Sequence, residues 1–517
     1  MWRLFRLRNH ADVVGWIAVA LFVRVTFVAY TGRVWEDALI TVAHARNAVE
    51  GLGLTHHSGE PVTQGFTSAL SVLIPLLGEV VGAGWGVTAI RIVSLAAAAV
   101  TIVLADRIAA DLGVSRWGRF ALMGYLALDA NQIFYGMSGM ETQLAVMLLL
   151  LSVWAVLRDS AWVGVCLGLA LLARPDFILW AGAVLAWAGF ERRRLRAVLP
   201  GLIVVVLPWL AFTTLYYGSP IPQPIIAKAA VHSIWPPPAQ IADVPGWLAD
   251  GIASRVPAFV RTTTPFLEDS LAYAAPVPLP ILLAFGSSVI VVAAVGIVER
   301  FWSPIWRPIV VVAVSYFGYR LLFLPTTYFD WYGPPFTAIL VLFAVSTLDR
   351  WMTHGLNRRA LTAIGMVTAY ALPLPWVFPM ERTIQRDIEV GVREKTSIAL
   401  GNLVDTGIGV TAEAAGYIGY FSRATLYDYP GLTSKTALSA ILKLPRADRT
   451  LTALIAALQP PWIVLRPPEL EELQASYPDI GQRYAVVESL GEWNPSIEVG
   501  EYRKYTVDSA YLILRRS

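Results

Sequence analysis

Two adjacent carboxylates, Glu36 and Asp37, directly follow an apolar stretch that is long enough to cross a membrane. A carboxylate at the boundary between membrane and water is partly desolvated, which raises its pKa and makes it a better proton acceptor near neutral pH. Asp37, with Glu36 beside it, is therefore a candidate general base. The alternative is that both residues only cap a helix that begins near Trp35, since acidic side chains favour the first turn.

Three histidines follow the acidic pair in the same part of the chain. His44 lies seven residues after Asp37, so two turns of helix would place both on nearly the same face. His56 and His57 could be metal ligands, but adjacent histidines seldom reach one ion and no third ligand stands at metal-site spacing. We therefore expect the three histidines to contact substrate or solvent. We predict no metal and no cofactor, with a divalent metal kept as the less favoured alternative.

Further ionisable residues stand at the predicted ends of membrane spans, where such groups are costly and indicate function by default. Glu141 lies in the motif SGMET at the start of one span, and ARPDF places Arg174 and Asp176 between two short spans. Arg174 and Asp176 either serve a site or simply neutralise each other. The remaining candidates are Lys228, Arg320, Asp330 and Tyr332.

The composition identifies the class of protein that must position these residues. The chain has 517 residues, of which 56% are hydrophobic and only 15% are charged, whereas a soluble domain carries roughly 25% charge. This indicates a polytopic α-helical membrane protein. A net charge of +3 does not point to nucleic acid as a partner. The single cysteine excludes a disulfide framework and a cysteine-based metal site.

About eleven apolar stretches could form membrane spans. They lie at about 13–31, 88–108, 118–130, 141–157, 160–173, 176–190, 197–217, 277–298, 306–325, 333–348 and 360–378. The stretch 67–82 is also apolar. If this stretch crosses the membrane, the clusters of arginines do not all fall on the cytoplasmic side; if it stays at the interface, or dips into the membrane and returns, every cluster does. This topology makes 32–87 and 218–276 extracytoplasmic loops, and it places all the candidate residues on the outer side.

The chain is predicted to divide into a membrane domain at 1–378 and a C-terminal α/β domain at 379–517, joined by the proline-rich stretch 372–380. The C-terminal part is richer in charged residues. Apolar alternation predicts strands at Trp462–Leu465, Tyr484–Val487 and Tyr511–Leu514, and helical periodicity predicts helices at Lys435–Lys443 and Leu451–Leu458. Under the same topology this domain is extracytoplasmic.

These motifs together resemble the GT-C superfamily of membrane glycosyltransferases that use polyprenyl-phosphate sugars. The resemblance lies in WEDALITVAHARNAVEGLGL and GEPVTQGFTSALSVL, and it continues in the same order with SGMETQL, LGLALLARPDFIL and YYGSPIPQPIIAK. The segment AGYIGYFSRATLYDYPGLTSKTAL (415–438) is similar to one found in the terminal arabinofuranosyltransferases of actinobacterial cell walls. In the superfamily the acidic pair is usually Asp-Asp; here it is Glu36-Asp37, so Asp37 is the preferred base.

The resemblance implies transfer of a sugar from a polyprenyl-phosphate donor to a cell-envelope glycan acceptor, at the outer face of the cell membrane and in contact with membrane lipids. Asp37 would be the base and Glu36 would assist it. Arg174, Lys228 and Arg320 would bind the donor phosphate, because a phosphate leaving group needs positive charge. His44, His56, His57, Glu141, Asp176, Asp330 and Tyr332 would contact substrate. Arabinofuranose is the favoured sugar and mannose the next.

Two alternatives remain. The number of spans also suits a transporter or flippase of lipid-linked glycans, although no internal repeat of the transporter type is present. The C-terminal domain could also bind the acceptor glycan through aromatic residues such as Tyr417 and Trp493 without taking part in the chemistry.

Overall fold

A computed structural model describes most of the chain. The described residues are 10–189, 192–232, 240–249, 253, 279–322, 329–352, 356–405, 407–493 and 508–517.

The first two thirds of the chain form a bundle of helices. In chain order they are α1 (His10–Thr31), α2 (Glu36–Val49), α3 (Ala69–Val81), α4 (Gly86–Asp111), α5 (Arg116–Leu128), α6 (Ala130–Met137), α7 (Thr142–Leu157), α8 (Val163–Ala173), α9 (Ile178–Gly189), α10 (Arg192–Tyr217), α11 (Gln223–His232), α12 (Leu279–Arg300), α13 (Arg307–Leu322), α14 (Gly333–Trp351) and α15 (Leu356–Ala371). Short 3-10 turns lie at Pro175–Phe177, Ile241–Asp243 and Asp330–Tyr332.

Each of the eleven predicted spans coincides with a helix of this bundle. Among the described residues, five helical segments are long and apolar enough to cross a membrane, and α6 with α7 would make a sixth if that bent pair is one span. The chain is thus a multi-pass membrane protein, and the count of eleven stays a prediction. The helix α14 lies at the centre, since its residues from Gly333 to Thr347 are all buried.

The apolar stretch 67–82 forms α3, which has 13 residues. At 1.5 Å per residue this helix is about 20 Å long, shorter than the roughly 30 Å hydrocarbon core of a bilayer. It packs against α2 and α4. This length supports the prediction that the stretch does not cross the membrane.

The proline-rich stretch 372–380, which was predicted to join the two domains, is helical. A helical run of 47 residues extends from Asn357 to Leu403 and includes α15, α16 (Leu374–Thr383), a π-helix (Ile384–Glu394) and α17 (Lys395–Leu403). Pro373 is the N-cap of α16 and Pro375 lies in its first turn, where a proline costs no hydrogen bond. The chain therefore continues from the last span into the C-terminal domain through helix. The boundary at residue 379 stays a prediction.

The C-terminal domain is a five-stranded sheet with helices. Its elements are β1 (Gly409–Ala412), α18 (Ala415–Ser422), β2 (Thr425–Asp428), α19 (Lys435–Lys443), α20 (Leu451–Leu458), β3 (Trp462–Leu465), α21 (Pro467–Ser476), α22 (Pro478–Gly481), β4 (Tyr484–Gly491) and β5 (Ala510–Arg516). The strand order is β2-β1-β3-β5-β4, with β1 parallel to β2 and β3, and β5 antiparallel to β3 and β4. The predicted strands and helices are confirmed, and β4 and β5 are longer than predicted. Sequence analysis missed β1 (GVTA) and β2 (TLYD), which are less apolar than β3 (WIVL), a strand of the same length.

The C-terminal domain docks on α2 through α18. Two glycines allow the close approach: a Cβ on Gly416 would lie 2.1 Å from the backbone oxygen of Glu36, and one on Gly419 would lie 2.2 Å from a ring carbon of His56. The motif AGYIGY is therefore explained by helix packing. It brings the C-terminal domain against the helix that begins with the acidic pair.

Candidate active site

A cavity of about 340 Å³ lies where α2, α11, the break between α6 and α7, and the break between α8 and α9 meet. Six of the residues singled out in the sequence line it: Asp37, Glu141, Arg174, Asp176, Lys228 and Tyr332. They are up to about 300 positions apart in sequence, and helix ends bring them together. The cavity is the candidate active site.

Asp37 stands in the first turn of α2 and faces the cavity. Burial raises the pKa of Asp37 above its usual range, and the positive charge of Lys228 counteracts part of that rise. Ile40 and Thr41 line the cavity beside Asp37. Their spacing of three and four residues is the one that shares a helix face, so this pair could have been found from the sequence.

Lys228 lies on α11 and enters the cavity from another side. Its Nζ is 4.4 Å from the ring centre of Phe329 and 5.4 Å from that of Trp331. Burial lowers the pKa of Lys228, while Asp37 raises it. No carboxylate of the described residues lies within 4.0 Å of the Lys228 ammonium, so the described part of the chain offers this cation to a ligand.

Arg174 and Asp176 form the ion pair that the sequence left as one of two alternatives, and both also line the cavity. Arg174 Nε donates to Asp176 Oδ1 at 3.0 Å, and a second guanidinium nitrogen donates to Oδ2 at 3.2 Å. A third donates to the carbonyl oxygen of Trp331 at 2.9 Å, and the guanidinium lies 4.2 Å from the ring centre of Tyr332. Asp176 also accepts from the hydroxyl of Tyr316 at 2.6 Å. The pair therefore fixes the orientation of Arg174 at the cavity wall.

Glu141 lies at the break between α6 and α7, which meet at 112°, and it is 8% exposed. The sharp turn is what carries this carboxylate into the cavity. The other walls come from loops and from the C-terminal domain, with contributions from Gly65, Phe66, Trp331 and Leu432. Sequence reasoning missed these residues, because no local pattern shows that Leu432 approaches α2.

Glu36 does not line the cavity, although it was predicted to share the catalytic role. Its Oε2 is 3.1 Å from a guanidinium nitrogen of Arg393, and its Oε1 accepts from the backbone N–H of Gly416 at 3.3 Å. Burial raises the pKa of Glu36 to about 8, although the charge of Arg393 lowers it. Successive residues on a helix point about 100° apart, which sends Glu36 to the C-terminal domain and Asp37 to the cavity.

The three histidines also lie outside the cavity, and their contact with substrate stays a prediction. They are buried between the loop after α2 and the C-terminal domain. His56 and His57 approach through their Nδ1 atoms at 3.2 Å, and His57 Nε2 is 3.0 Å from Glu60. His44 Nδ1 donates to the carbonyl of Ile40 at 2.7 Å. Burial lowers the pKa of His44 to about 4, so it is neutral at physiological pH.

Two further predicted residues, Arg320 and Asp330, have side chains outside the described residues. Within the described part of the chain, no group of three or more His, Cys, Asp or Glu side chains is arranged to hold a metal ion. The cavity itself combines three carboxylates, Asp37, Glu141 and Asp176, with one oriented arginine and one lysine. Such a set can accept a proton and bind an anion.

Comparison with known proteins places the fold. A family described as Domain of unknown function (DUF8728) matches residues 383–509. No curated protein sequence matches the chain. Among solved structures, ArnT from Cupriavidus metallidurans bound to undecaprenyl phosphate is 11% identical, with 98% of each chain covered and a TM-score of 0.51. The oligosaccharyltransferase of Archaeoglobus fulgidus, in complex with Zn and sulfate, is 11% identical, with 90% of this chain and 69% of that chain covered and a TM-score of 0.54.

The arabinofuranosyltransferase AftD from Mycobacteria is also similar, with 14% identity over 98% of this chain and 40% of that chain. Its TM-score of 0.45 is too low to bear on the sugar. The two likenesses above 0.5 show that the chain has the GT-C fold, as the sequence motifs predicted.

Proposed function

We propose that this protein transfers a sugar from a polyprenyl-phosphate donor to a cell-envelope glycan on the outer face of the cell membrane. The observation that carries the proposal is the meeting of Asp37, Arg174 and Lys228 in one cavity. Because the fold is shared with ArnT, which was solved with undecaprenyl phosphate bound, the fold supports a lipid-phosphate donor.

In the proposed reaction, Asp37 takes the proton of an acceptor hydroxyl as that oxygen attacks the anomeric carbon of the donor sugar. The bond between this carbon and the phosphate oxygen breaks, and its electron pair leaves with the polyprenyl phosphate. A base whose pKa is raised towards the working pH is better suited to this proton transfer. Lys228 and Arg174 would stabilise the charge that develops on the phosphate.

The charges of the cavity favour a monophosphate donor over a diphosphate. Arg174 and Lys228 are the cations among the described lining residues, and Asp176 already neutralises Arg174. Lys228 is then the cation of the described lining residues that has no ion-pair partner within 4.0 Å, so a single lysine is left to bind the leaving group. A diphosphate would bring more negative charge than these two side chains can balance, in a cavity that also holds Asp37 and Glu141.

Two apolar residues of the cavity support a route for the lipid chain. Ile178 and Ile225 line the cavity and are 65% and 42% exposed at the protein surface. An exposed apolar side chain beside a charged cavity suits a polyprenyl chain that remains in the membrane while its phosphate enters. The acceptor would approach from the opposite, aqueous side, where Leu432 of the C-terminal domain lies.

Inversion at the anomeric carbon is the proposed stereochemistry. Retention through a covalent intermediate needs a second carboxylate about 5–5.5 Å from the first in hydrolases of that type. Glu36 points away from the cavity, and both oxygens of Asp176 are occupied by Arg174 and Tyr316. Glu141, the third carboxylate of the cavity, interacts with the positive charge of Arg174, so Asp37 is the proposed reacting carboxylate. Arabinofuranose remains the favoured sugar and mannose the next, on the resemblance of the segment 415–438.

The test is transfer by the purified protein in detergent. The protein is incubated with polyprenyl-phosphate arabinofuranose, mannose, glucose or galactose and a cell-envelope glycan, and NMR of the product gives sugar and linkage. Asp37→Asn should lower the rate by at least about 10²-fold, as expected for loss of a general base, while the exposed control Asp479→Asn should match the parent. An Asp37→Asn variant that is folded and transfers at the parental rate would show that Asp37 is not the base.

The same experiment separates transfer from transport. Detergent leaves no second compartment, so product formation there excludes a flippase as the sole function. Movement of lipid-linked glycan across vesicles by a protein that forms no product in detergent would favour the transporter alternative instead.

A further inference from the structure

The helix that carries Lys228 is held by the C-terminal domain at both of its ends. At the start of α11, Gln223 Nε2 donates to the carbonyl oxygen of Gly431 at 2.9 Å. The backbone N–H of Gln223 donates to the carbonyl of Gln64 at 3.2 Å, and the residue is 8% exposed. The beginning of the helix is thereby attached to the segment that follows β2.

The other end of α11 meets a second part of the same domain. A guanidinium nitrogen of Arg449 donates to the carbonyl oxygen of Ala230 at 3.0 Å. Arginine side chains near a helix C-terminus bind the last carbonyls and favour the negative end of the helix dipole. The side chain of Arg449 also donates to the carbonyl of Leu444 at 3.2 Å, so it is itself attached to the domain.

Apolar packing adds to these two contacts. Val231 packs against a small cluster of buried residues that consists of Ala437, Ile441 and Leu454, which come from α19 and α20. The contact surface of α11 on the domain thus runs from Gln223 to Val231. Lys228 lies between these anchors.

The segment after β2 is well fixed, and so it can serve as an anchor. Asp428 is buried and accepts hydrogen bonds from the backbone N–H groups of Leu432, Thr433 and Ser434 at 2.5, 2.9 and 3.0 Å. These bonds hold the turn that presents the Gly431 carbonyl to Gln223. The same turn places Leu432 on the cavity wall.

We propose that the C-terminal domain acts on donor binding, because it holds α11 and thereby sets the position of Lys228 in the cavity. Gln223 and Arg449 are positioning residues in this account. The inference rests on the proposed function, since it assigns Lys228 to the donor phosphate. It also gives a role to the region matched by a family of unknown function, and it differs from the alternative that this domain is a module for acceptor binding.

The test compares Michaelis constants for donor and acceptor separately. Gln223→Met keeps the length of the side chain and removes the donated hydrogen bond, and Arg449→Met does the same at the other end. Each should raise the KM for the donor by about tenfold, the size expected from a small misplacement of a binding group. Because Lys228 also stabilises the charge that develops on the leaving phosphate, kcat should fall as well, whereas the KM for the acceptor should stay within about twofold of the parent.

The control is Arg423→Met, which removes an exposed ion pair between the same domain and Glu50 at the end of α2. It should leave both Michaelis constants unchanged. In a Lys228→Met background, the further change Gln223→Met should add little to the donor KM, because its effect passes through the missing lysine. Arg449→Lys keeps the positive charge and a nitrogen that can donate a hydrogen bond. It should therefore bring the KM for the sugar donor part of the way back to the parental value.

If Arg449→Met lowers the thermal unfolding temperature strongly, the test uses Gln223→Met in its place. The donor KM of Gln223→Met is then measured, together with the rise in its unfolding temperature when undecaprenyl phosphate is added. A raised acceptor KM with an unchanged donor KM would overturn the proposal in favour of an acceptor module. Unchanged constants for both substrates would overturn it as well. Absence of transfer by the parent protein would instead contradict the proposed function.

Discussion

At the scale of single residues, the acidic pair has two separate tasks. Asp37 faces the cavity, and Glu36 pairs with Arg393 of the π-helix. Arg393 is held independently, because it also binds Glu389 at 3.0 Å and Asp508 at 2.6 Å. Loss of the Glu36 charge therefore leaves Arg393 with partners, which limits the cost of removing it.

We accordingly expect Glu36→Gln to retain more activity than Asp37→Asn. The amide at position 36 can still accept from Gly416, so α2 should begin where it does now. The initial rate of transfer and the unfolding temperature of both variants are the measurements. If Glu36→Gln were the less active of two folded variants, the assignment of Asp37 as the base would be wrong.

The pH dependence of turnover should report on Asp37. A base must be ionised, so activity falls as the pH drops through its pKa. Burial raises that pKa, and the acidic limb of kcat should lie above the usual value of about 3.9 for an aspartate. Because Lys228 lowers the pKa of Asp37, Lys228→Met should move this limb to still higher pH. A limb that does not respond to Lys228→Met would contradict the coupling of the two groups.

At the scale of elements, the contact between α2 and α18 decides how the C-terminal domain meets the cavity. Gly416 sits against the backbone of Glu36, which cannot move without moving Asp37. A methyl group at this position would meet the backbone oxygen of Glu36 first and the side-chain Cγ of Glu36 next, so moving the side chain alone would not relieve the contact. The spacing of Gly416 and Gly419 places both on the face of α18 that touches the loop and the start of α2.

Gly416→Ala should therefore destabilise the protein by about 1–3 kcal/mol, the usual range for overpacking, and lower the transfer rate. Gly182→Ala is the matched control, since that helical glycine has no atom within 4 Å of an added Cβ and alanine is the better helix former by about 1 kcal/mol. Thermal unfolding in detergent and the transfer rate give the comparison. Equal effects of the two changes would mean that the α2–α18 contact is not tight.

At the scale of the whole molecule, the proposal requires the cavity and the C-terminal domain to lie outside the cytoplasm. The chain lends itself to a labelling test, because its one cysteine, Cys166, is buried. Glu471 lies on an exposed part of α21, and Arg358 lies on the exposed surface near the start of α15, in a predicted cytoplasmic loop.

In intact cells a membrane-impermeant maleimide should label Glu471→Cys and not Arg358→Cys. After the cells are opened, both should react. The expected pattern follows from the distribution of arginines, which are enriched on the cytoplasmic side. If only Arg358→Cys were labelled in intact cells, the topology would be the reverse of the predicted one, and the cavity would lie on the cytoplasmic face.

The sequence alone determined the class of protein, its helices and six ionisable groups of the cavity. Apolar length decides whether a helix forms in a bilayer, and this information is local, so each predicted span coincides with a helix. The strands β3, β4 and β5 likewise begin as short segments rich in apolar, β-branched and aromatic residues, which is again a local signal. An ionisable residue at the end of a span is also a local signal, which is why Asp37, Glu141, Arg174, Asp176, Lys228 and Tyr332 were all found from it.

Only the tertiary structure decided which of these residues share a site. Glu36 and the three histidines carry the same chemical groups as catalytic residues, yet they face the C-terminal domain, because docking of α18 on α2 buries that side of the chain. Leu432 joins the cavity from nearly 400 residues away for the same reason. The direction of a side chain depends on which surfaces pack together, and packing between distant segments leaves no periodic trace in the sequence.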